Sequence, residues 1–377
     1  MKTILHVITG GPGRGGAEGV LLRLVRESRS DLRHVVFTLR PMPAYLDDFR
    51  ALGVELRSLD VQHVGAFARG FGELLREVRR LNPAVIQTWM YHSDFIFGLI
   101  GKLLGIPVVW NVRQSDCSRK NLGPRTWLTA KADAWLSPFV PEAIINCSSS
   151  SIGLHRQFGY AGRFVHIPNG FGAAVPADPG GERAALRHEL SLGGGDFVFG
   201  LVARFHPVKD HRALVEAFSR VHETLPAARL VMAGVGVARD NPEFDAICRG
   251  ADADALRPLG FRSDVERLYR MFDVFVLCSA WGEGFSNVVA EAMLQRTPCI
   301  VTDVGDAAEI VADTGWVVPA GDVEALAAAM RAAAQSSPEE LARRGEAARQ
   351  RVLAHYSIDK MVRDYRRVWD SAMAPRS

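Results

Sequence analysis

Two glutamates in the spacing Glu283-x7-Glu291 are the residues whose type and placement best suit a polyhydroxylated ligand. The apolar run Val274 to Leu277 predicts a buried strand that enters the turn Trp281-Gly282-Glu283-Gly284-Phe285, with a helix starting near Ser286. N–H groups of Phe285, Ser286 and Asn287 at that helix start would attract an anion. Glu291 lies about two turns further on at roughly 3.6 residues per turn, so it could reach a different part of the same ligand. A carboxylate beside an anion site is unfavourable unless it has another task, and accepting hydrogen bonds from sugar hydroxyls is such a task. The plainer alternative makes Glu283 a helix-start charge and Glu291 a surface residue.

Two cations stand in a second loop, Ala203-Arg204-Phe205-His206-Pro207-Val208-Lys209-Asp210, after a predicted strand. Lys209 is one of few lysines in an Arg-rich chain, which suits a compact ammonium near phosphate oxygens; two solvated surface charges are the alternative. A third loop, Gly10 to Glu18, places Gly11, Gly13 and Gly16 in a GxGxxG pattern between a strand and a helix. An NAD site would add an acidic residue at the end of the second strand, where this chain has Arg40, so the pattern leaves room for NADP. His92, in Trp89-Met90-Tyr91-His92, follows the fourth predicted strand and is either a site residue or a capping or packed histidine.

Short apolar runs alternating with helical stretches predict an α/β chain with mostly parallel sheets. Strands are expected at Thr3–Ile8, His34–Leu39, Val54–Leu59, Ala84–Thr88, Pro107–Trp110, Ala143–Cys147 and Phe164–Ile167. A second set follows at Phe197–Val202, Arg229–Ala233, Arg257–Leu259, Asp273–Cys278, Cys299–Thr302 and Trp316–Val318. The turn-rich stretch inside 173–195 predicts the connection between a first domain, 1–172, and a second, 196–355, with a final segment at 356–377. Two such sheets facing one another would bind ligands in a cleft at the carboxyl ends of their strands.

The 377 residues are 48% hydrophobic and 23% charged, which excludes a disordered or collagen-like chain. Net charge is only +3, against a dedicated nucleic-acid binder. Its distribution is uneven: the first 172 residues carry a surplus of +8 and the remainder −5. No apolar run is long enough to span a bilayer, no signal peptide is expected, and five dispersed cysteines suggest neither a disulfide framework nor a zinc site. These features predict a cytoplasmic protein.

Glu283-x7-Glu291 with Gly284-Phe285, the upstream Arg204 and Lys209, and Gly15-Gly16-Ala17-Glu18 together resemble the retaining family 4 glycosyltransferases of the GT-B fold. The joining segment Ile167-Pro168-Asn169-Gly170-Phe171, the helix start Ser148 to Ser151 and the loop Leu259 to Val265 are similar as well, and Tyr356 to Met373 resembles the helix that crosses back onto the first domain. The resemblance implies two Rossmann-like domains facing across a cleft, an acceptor-binding first domain and a nucleotide-sugar-binding second. Arg204 and Lys209 would neutralise the leaving diphosphate in place of a metal, Glu283 would bind the transferred sugar and Glu291 the ribose. Gly15, Gly16, Phe261, Arg262, Gly284, Phe285, Ser286 and Asn287 would complete the substrate contacts, and His92 would support sugar or acceptor. No cofactor is implied, the nucleotide diphosphate-sugar (UDP- or GDP-linked) being a co-substrate. Two departures stand out: Arg296 replaces the usual glycine after the Glu291 helix, and Gly305-Asp306 replaces a common Gly-Gly, placing a carboxylate near the cleft.

The expected reaction is sugar transfer with retention at the anomeric carbon, by front-face attack in which the departing phosphate accepts the acceptor's proton. An NADP-dependent oxidoreductase explains only the first glycine loop and Arg40, and a nucleotide-sugar epimerase of the same architecture leaves Glu283 and Glu291 unexplained. The resemblance favours a glycan or polyprenyl-diphosphate-linked sugar as acceptor, in surface-polysaccharide synthesis. Trp110, Trp127 and Trp135 interleave with Arg113, Arg119, Lys120, Arg125 and Lys131, against Asp116 and Asp133. Such a surface would suit peripheral contact with an anionic membrane, here the cytoplasmic face of the inner membrane; a solvated helix over core tryptophans is the alternative.

Overall fold

The computed structural model describes residues 1–59, 64–115, 117–119, 122–172 and 181–374. The chain divides into two compact units, Met1–Gly170 with Ile358–Ser377, and Phe171–Ser357.

In the first unit the strands are β1 (Lys2–Ile8), β2 (Leu32–Thr38), β3 (Glu55–Ser58), β4 (Val85–Trp89), β5 (Val108–Val112), β6 (Ala143–Asn146) and β7 (Phe164–His166). They form one parallel sheet in the order β3-β2-β1-β4-β5-β6-β7. Its central strands are buried and mostly apolar because helices cover both faces, though His6, Gln87, Thr88 and Asn111 are buried within them too. On one face Ile4, Val36, Trp89 and Ile145 pack with Val20, Leu21 and Leu24; on the other Leu5, Ile86, Trp110 and Ile144 pack with Phe97 and Ile100.

The second unit repeats the plan with β8 (Phe197–Val202), β9 (Ala228–Ala233), β10 (Leu256–Pro258), β11 (Val274–Leu277), β12 (Cys299–Thr302) and β13 (Trp316–Val318), ordered β10-β9-β8-β11-β12-β13. All are parallel, and every strand expected from the sequence is present. In both units the loops that leave the strands therefore gather at one edge.

The last helix, Ile358–Met373, belongs to the first unit, as expected. Its apolar side, Met361, Val362, Tyr365, Val368 and Trp369, is buried beside β1 and β4. Trp369 Nε1 donates to Gln87 Oε1 at 2.8 Å, and Asn111 Nδ2 to Tyr365 OH at 2.7 Å.

The change of unit falls after Gly170 rather than at 172. Within the stretch expected as a connection, residues 173–180 lie outside the described residues, and Gly181–Glu189 is a helix of the second unit. Leu186 is buried there, and Arg183 pairs with Asp273 at 2.5 Å, so this segment is packed structure rather than free linker.

Candidate active site

At the carboxyl edge of the second sheet, β8 leads into a short 3-10 turn, Pro207–Lys209, followed by Asp210 in the left-handed region (φ 44°). Asp210 Oδ1 accepts from the Ala213 N–H at 3.2 Å and so caps the next helix, His211–His222. The neighbouring strand β11 is laced to this loop. Ala280 N–H donates to Val208 O at 2.8 Å, and the Cys278 thiol lies 3.4 Å from the carbonyls of Lys209 and Asp210. These ties bring Lys209 to the turn after β11, where its ammonium pairs with the Glu283 carboxylate.

Glu283 is held on every side. Oε1 accepts from Lys209 and from Ser279 Oγ (2.6 Å), and Oε2 accepts from Ser286 Oγ at 3.1 Å. Burial alone would push this carboxyl up, but the Lys209 charge and the three hydrogen bonds outweigh burial and hold it below the usual glutamate range. The backbone is confined as well. Gly305 adopts φ 63°, and a Cβ there would stand 2.4 Å from Glu283 O; the Asp306 N–H donates to Gly284 O at 3.2 Å. Asp306, expected near the cleft, is thus built into the Glu283 turn and is itself buried.

The other expected donor residues lie elsewhere in the second unit. Arg204 is exposed, with no ion pair among the described residues. Glu291 sits on the helix Asn287–Leu294 and its Oε2 accepts from Tyr269 OH at 3.2 Å. Ser286 caps that helix by position only, its hydroxyl being engaged by Glu283. The Phe285 N–H stands at the start of that helix, while its ring is buried, stacked on Phe171 with centroids 5.9 Å apart and edge-on to Tyr356 at 5.1 Å. Phe261 lies in the loop after β10 and its ring is exposed. Arg262 is clamped instead, bidentate to Asp264 at 2.8 Å and 3.2 Å from Glu189. Its charge shapes the loop that presents Phe261.

In the first unit, Gly15 caps the helix Gly16–Ser28, and Tyr45 OH donates to Gly15 O at 2.8 Å. The Glu18 carboxylate folds over the loop, close enough that a Cβ on Gly15 would meet Oε2 at 2.2 Å. Arg40 is exposed after β2 and its charge, after burial, is the second influence lowering the His92 pKa. His92 is the second residue of the helix Tyr91–Leu104, half-buried at the carboxyl edge of the first sheet. The residue before that helix, Met90, has φ 77°, a strained conformation for a non-glycine that sequence reading did not anticipate.

The expected aromatic and basic surface is rearranged. Trp110 lies within β5 and is fully buried, while Trp127 is half-buried beneath Arg119 and Lys131, at 5.0 and 5.7 Å from its ring. Arg113 turns inward over Trp89, and Asp133 is buried; Asp116 and Lys120 lie outside the described residues. What is exposed is an apolar stripe, Leu128 (66%) and Trp135 (74%) on the helix Pro124–Leu136, with Phe139 (65%) and Leu103 (67%). Lys102 Nζ donates to Phe139 O at 3.0 Å, joining the ends of the two helices that carry this stripe. No helix among the described residues is long and apolar enough to cross a membrane.

Two parallel-sheet Rossmann-like units, with cations and carboxylates gathered at the carboxyl edge of the second, define an α/β protein of the GT-B class. Residues 14–173 match the profile described as Glycosyltransferase Family 4, and residues 196–336 that described as Glycosyl transferases group 1. Together the two matches cover well over half of the chain, which belongs to this family of glycosyltransferases. Bacillus subtilis EpsF, which bears a glycosyltransferase name, is 28% identical over 80% of this chain and 79% of its own. An Escherichia coli protein named UDP-Gal:alpha-D-GlcNAc-diphosphoundecaprenol alpha-1,3-galactosyltransferase is 22% identical over 80% of each chain. Among solved structures, Anabaena HepE in complex with UDP and glucose superposes with a TM-score of 0.85 at 19% identity, covering 98% of this chain and all of that one.

Proposed function

We propose that this glycosyltransferase moves a sugar from a UDP- or GDP-linked donor to a glycan or polyprenyl-diphosphate-linked sugar acceptor, with retention at the anomeric carbon, in cell-surface polysaccharide synthesis. The observation that carries this reading is the Lys209–Glu283 pair at the carboxyl edge of the second sheet, with Arg204, exposed and without an ion pair among the described residues, on the same loop. In this reading Arg204 and Lys209 meet the donor diphosphate and neutralise the charge that grows on it as the sugar leaves. Electrostatic help of this kind is strongest in the transition state. Glu283 accepts hydrogen bonds from sugar hydroxyls, Glu291 from the ribose, and Phe261 offers a face for the base. In this reading no carboxylate acts as a nucleophile, and the leaving phosphate oxygen takes the acceptor's proton as the new bond forms on the same face. His92 contacts sugar or acceptor from the first unit.

The names of the Escherichia coli relative and of the HepE complexes, which hold UDP, UDP-glucose, or UDP and glucose, support a nucleotide-sugar donor and, for the former, a diphosphoundecaprenol-linked acceptor. The stripe of Leu103, Leu128, Trp135 and Phe139, flanked by Lys102 and Arg125, supports peripheral contact with an anionic membrane at the cytoplasmic face, where a lipid-linked acceptor would be met.

A thermal-shift panel of UDP, GDP, ADP and NADP, with and without a chelator, tests the donor. Stabilisation by UDP or GDP that survives chelation is expected, and stabilisation by NADP alone overturns the reading. Inverted product stereochemistry would sink the retaining assignment. Flotation with anionic liposomes should weaken as salt rises, and absence of binding at low salt counts against the membrane contact.

A further inference from the structure

Phe285 lies in the middle of the proposed donor motif, yet its ring points away from solvent and between the two places where the chain enters and leaves the second unit. Phe171 is the first residue of that unit and Tyr356 the last but one. Their rings flank Phe285, stacked at 5.9 Å and edge-on at 5.1 Å. The two flanking segments are also joined to each other: the Phe171 N–H donates to Tyr356 O at 2.9 Å, and Phe171 pairs with Ser357 as an isolated parallel bridge. On the other side of the crossing the first unit shows the same closeness. Gly170 N–H approaches Met361 Sδ at 3.1 Å, and a Cβ on Gly170 would stand 2.8 Å from Ile358 Cα.

We propose that Phe285 is a positioning residue that couples the Glu283 turn to the paired chain crossings at Gly170–Phe171 and Ser357–Ile358. The inference rests on the donor reading given above for Glu283. Glu283 and Phe285 are separated by one glycine, the Glu283 and Gly284 carbonyls face Gly305, and Asp306 N–H donates to Gly284 O. A displacement of Glu283 on engaging a sugar therefore has little slack to absorb it within the turn. It passes to the Phe285 ring, and from there to Phe171 and Tyr356. Conversely, the crossings hold the turn in the geometry that transfer requires.

Hydrogen exchange of the wild-type protein and of Phe285→Leu, Phe171→Leu and the double variant, each with and without UDP and GDP, tests this together with steady-state kinetics. In the wild type, nucleotide should slow exchange both in the turn 282–287 and at the Phe171 amide. In Phe285→Leu the turn should still be protected while the response at Phe171 is lost. kcat should fall on the order of a hundredfold, as small misplacements of catalytic groups do, with nucleotide affinity changed less than threefold. Phe171→Leu should give the same pattern, and the double variant should be no slower than either single variant. An undiminished Phe171 response in Phe285→Leu, or additive losses in the double variant, overturns the coupling while leaving the donor site intact. Absence of protection at 282–287 in the wild type with either nucleotide overturns the donor reading itself, and the coupling with it.

Discussion

Lys209 and Glu283, 74 positions apart in the chain, are each other's counter-charge in a setting where only 19% and 10% of their side-chain surfaces meet solvent. Because the pair is buried, removing one partner costs more than the pair contributes, since it strands the other charge. Lys209→Ala should destabilise the second unit by about 2–3 kcal/mol in denaturant titrations. The Glu283 carboxyl should then rise, because burial would act on it without the lysine's charge. Glu283→Gln keeps the shape of the side chain and leaves Lys209 with more room to hydrate, so its stability loss should be smaller. Both should lower donor turnover on the order of a hundredfold to a thousandfold. Turnover near the wild-type rate in both would remove the pair from the site.

Gly305 gives a test that leaves every charged group in place. Its φ of 63° disfavours any side chain, and a Cβ would stand 2.4 Å from Glu283 O and 2.8 Å from Gly284 O. Gly305→Ala should cost about 1–2 kcal/mol in the left-handed conformation and push the Glu283 turn outward. Transfer rate should drop on the order of a hundredfold, with circular dichroism unchanged. A rate within twofold of wild type would mean that the Glu283 backbone position does not matter to transfer.

The strands were legible because a parallel sheet covered on both faces demands continuous apolar runs, and β8, β12 and β13 begin and end where those runs do. Arg204, Lys209 and Glu283 stood out because charged residues in the loops that follow such runs lie toward the carboxyl edge, and Glu291 because it stands about two helical turns beyond Glu283. What could not be read was direction. Trp110 and Trp135 look alike in the sequence, but Trp110 lies inside β5 and Trp135 on an outward helix face. The Phe285 N–H could be read from its place at a helix start, but the direction of its ring could not, because Phe171 and Tyr356 approach it from distant positions. The role of Ser279 and Ser286 in charging Glu283 likewise depends on a turn that no local spacing specifies.

Arg296 stands where the family resemblance implies a glycine, and it adopts the left-handed backbone, at φ 62°. Its side chain pairs with Glu346 at 2.7 Å, with both groups about half exposed. An exposed pair contributes little, whereas the left-handed conformation costs about 1–2 kcal/mol. Arg296→Gly should therefore stabilise the second unit, by about 0.5–1 kcal/mol after the greater chain entropy of glycine is counted. A rise in the thermal midpoint checks this, and a fall would show that the Glu346 pair outweighs the backbone term.

Two buried histidines should make the first unit acid-sensitive. His6 Nε2 and His34 Nδ1 lie 2.9 Å apart, with Ser28 Oγ 3.0 Å from His34 Nε2 and the Trp369 ring 5.8 Å from His6. Burial lowers the His34 pKa to about 4, and burial together with the His34 charge holds that of His6 well below the usual value. A histidine whose folded pKa is depressed takes up its proton more readily when unfolded. Its full contribution to stability is therefore present above about 6.5 and is lost as pH falls from there toward 4. For His34 the loss at pH 5 is about 2 kcal/mol, at 1.36 kcal/mol per pH unit below 6.5. The buried carboxyls Asp94 and Asp133, both raised by burial, act in the opposite sense, since their stabilisation is lost as pH rises. Comparing the wild type with His34→Gln cancels that common background. Denaturant midpoints followed by tryptophan fluorescence between pH 7.5 and 5 should fall more steeply for the wild type, by an amount equivalent to about 2 kcal/mol. Parallel curves would mean that His34 is hydrated or paired in the folded protein and does not oppose its own protonation.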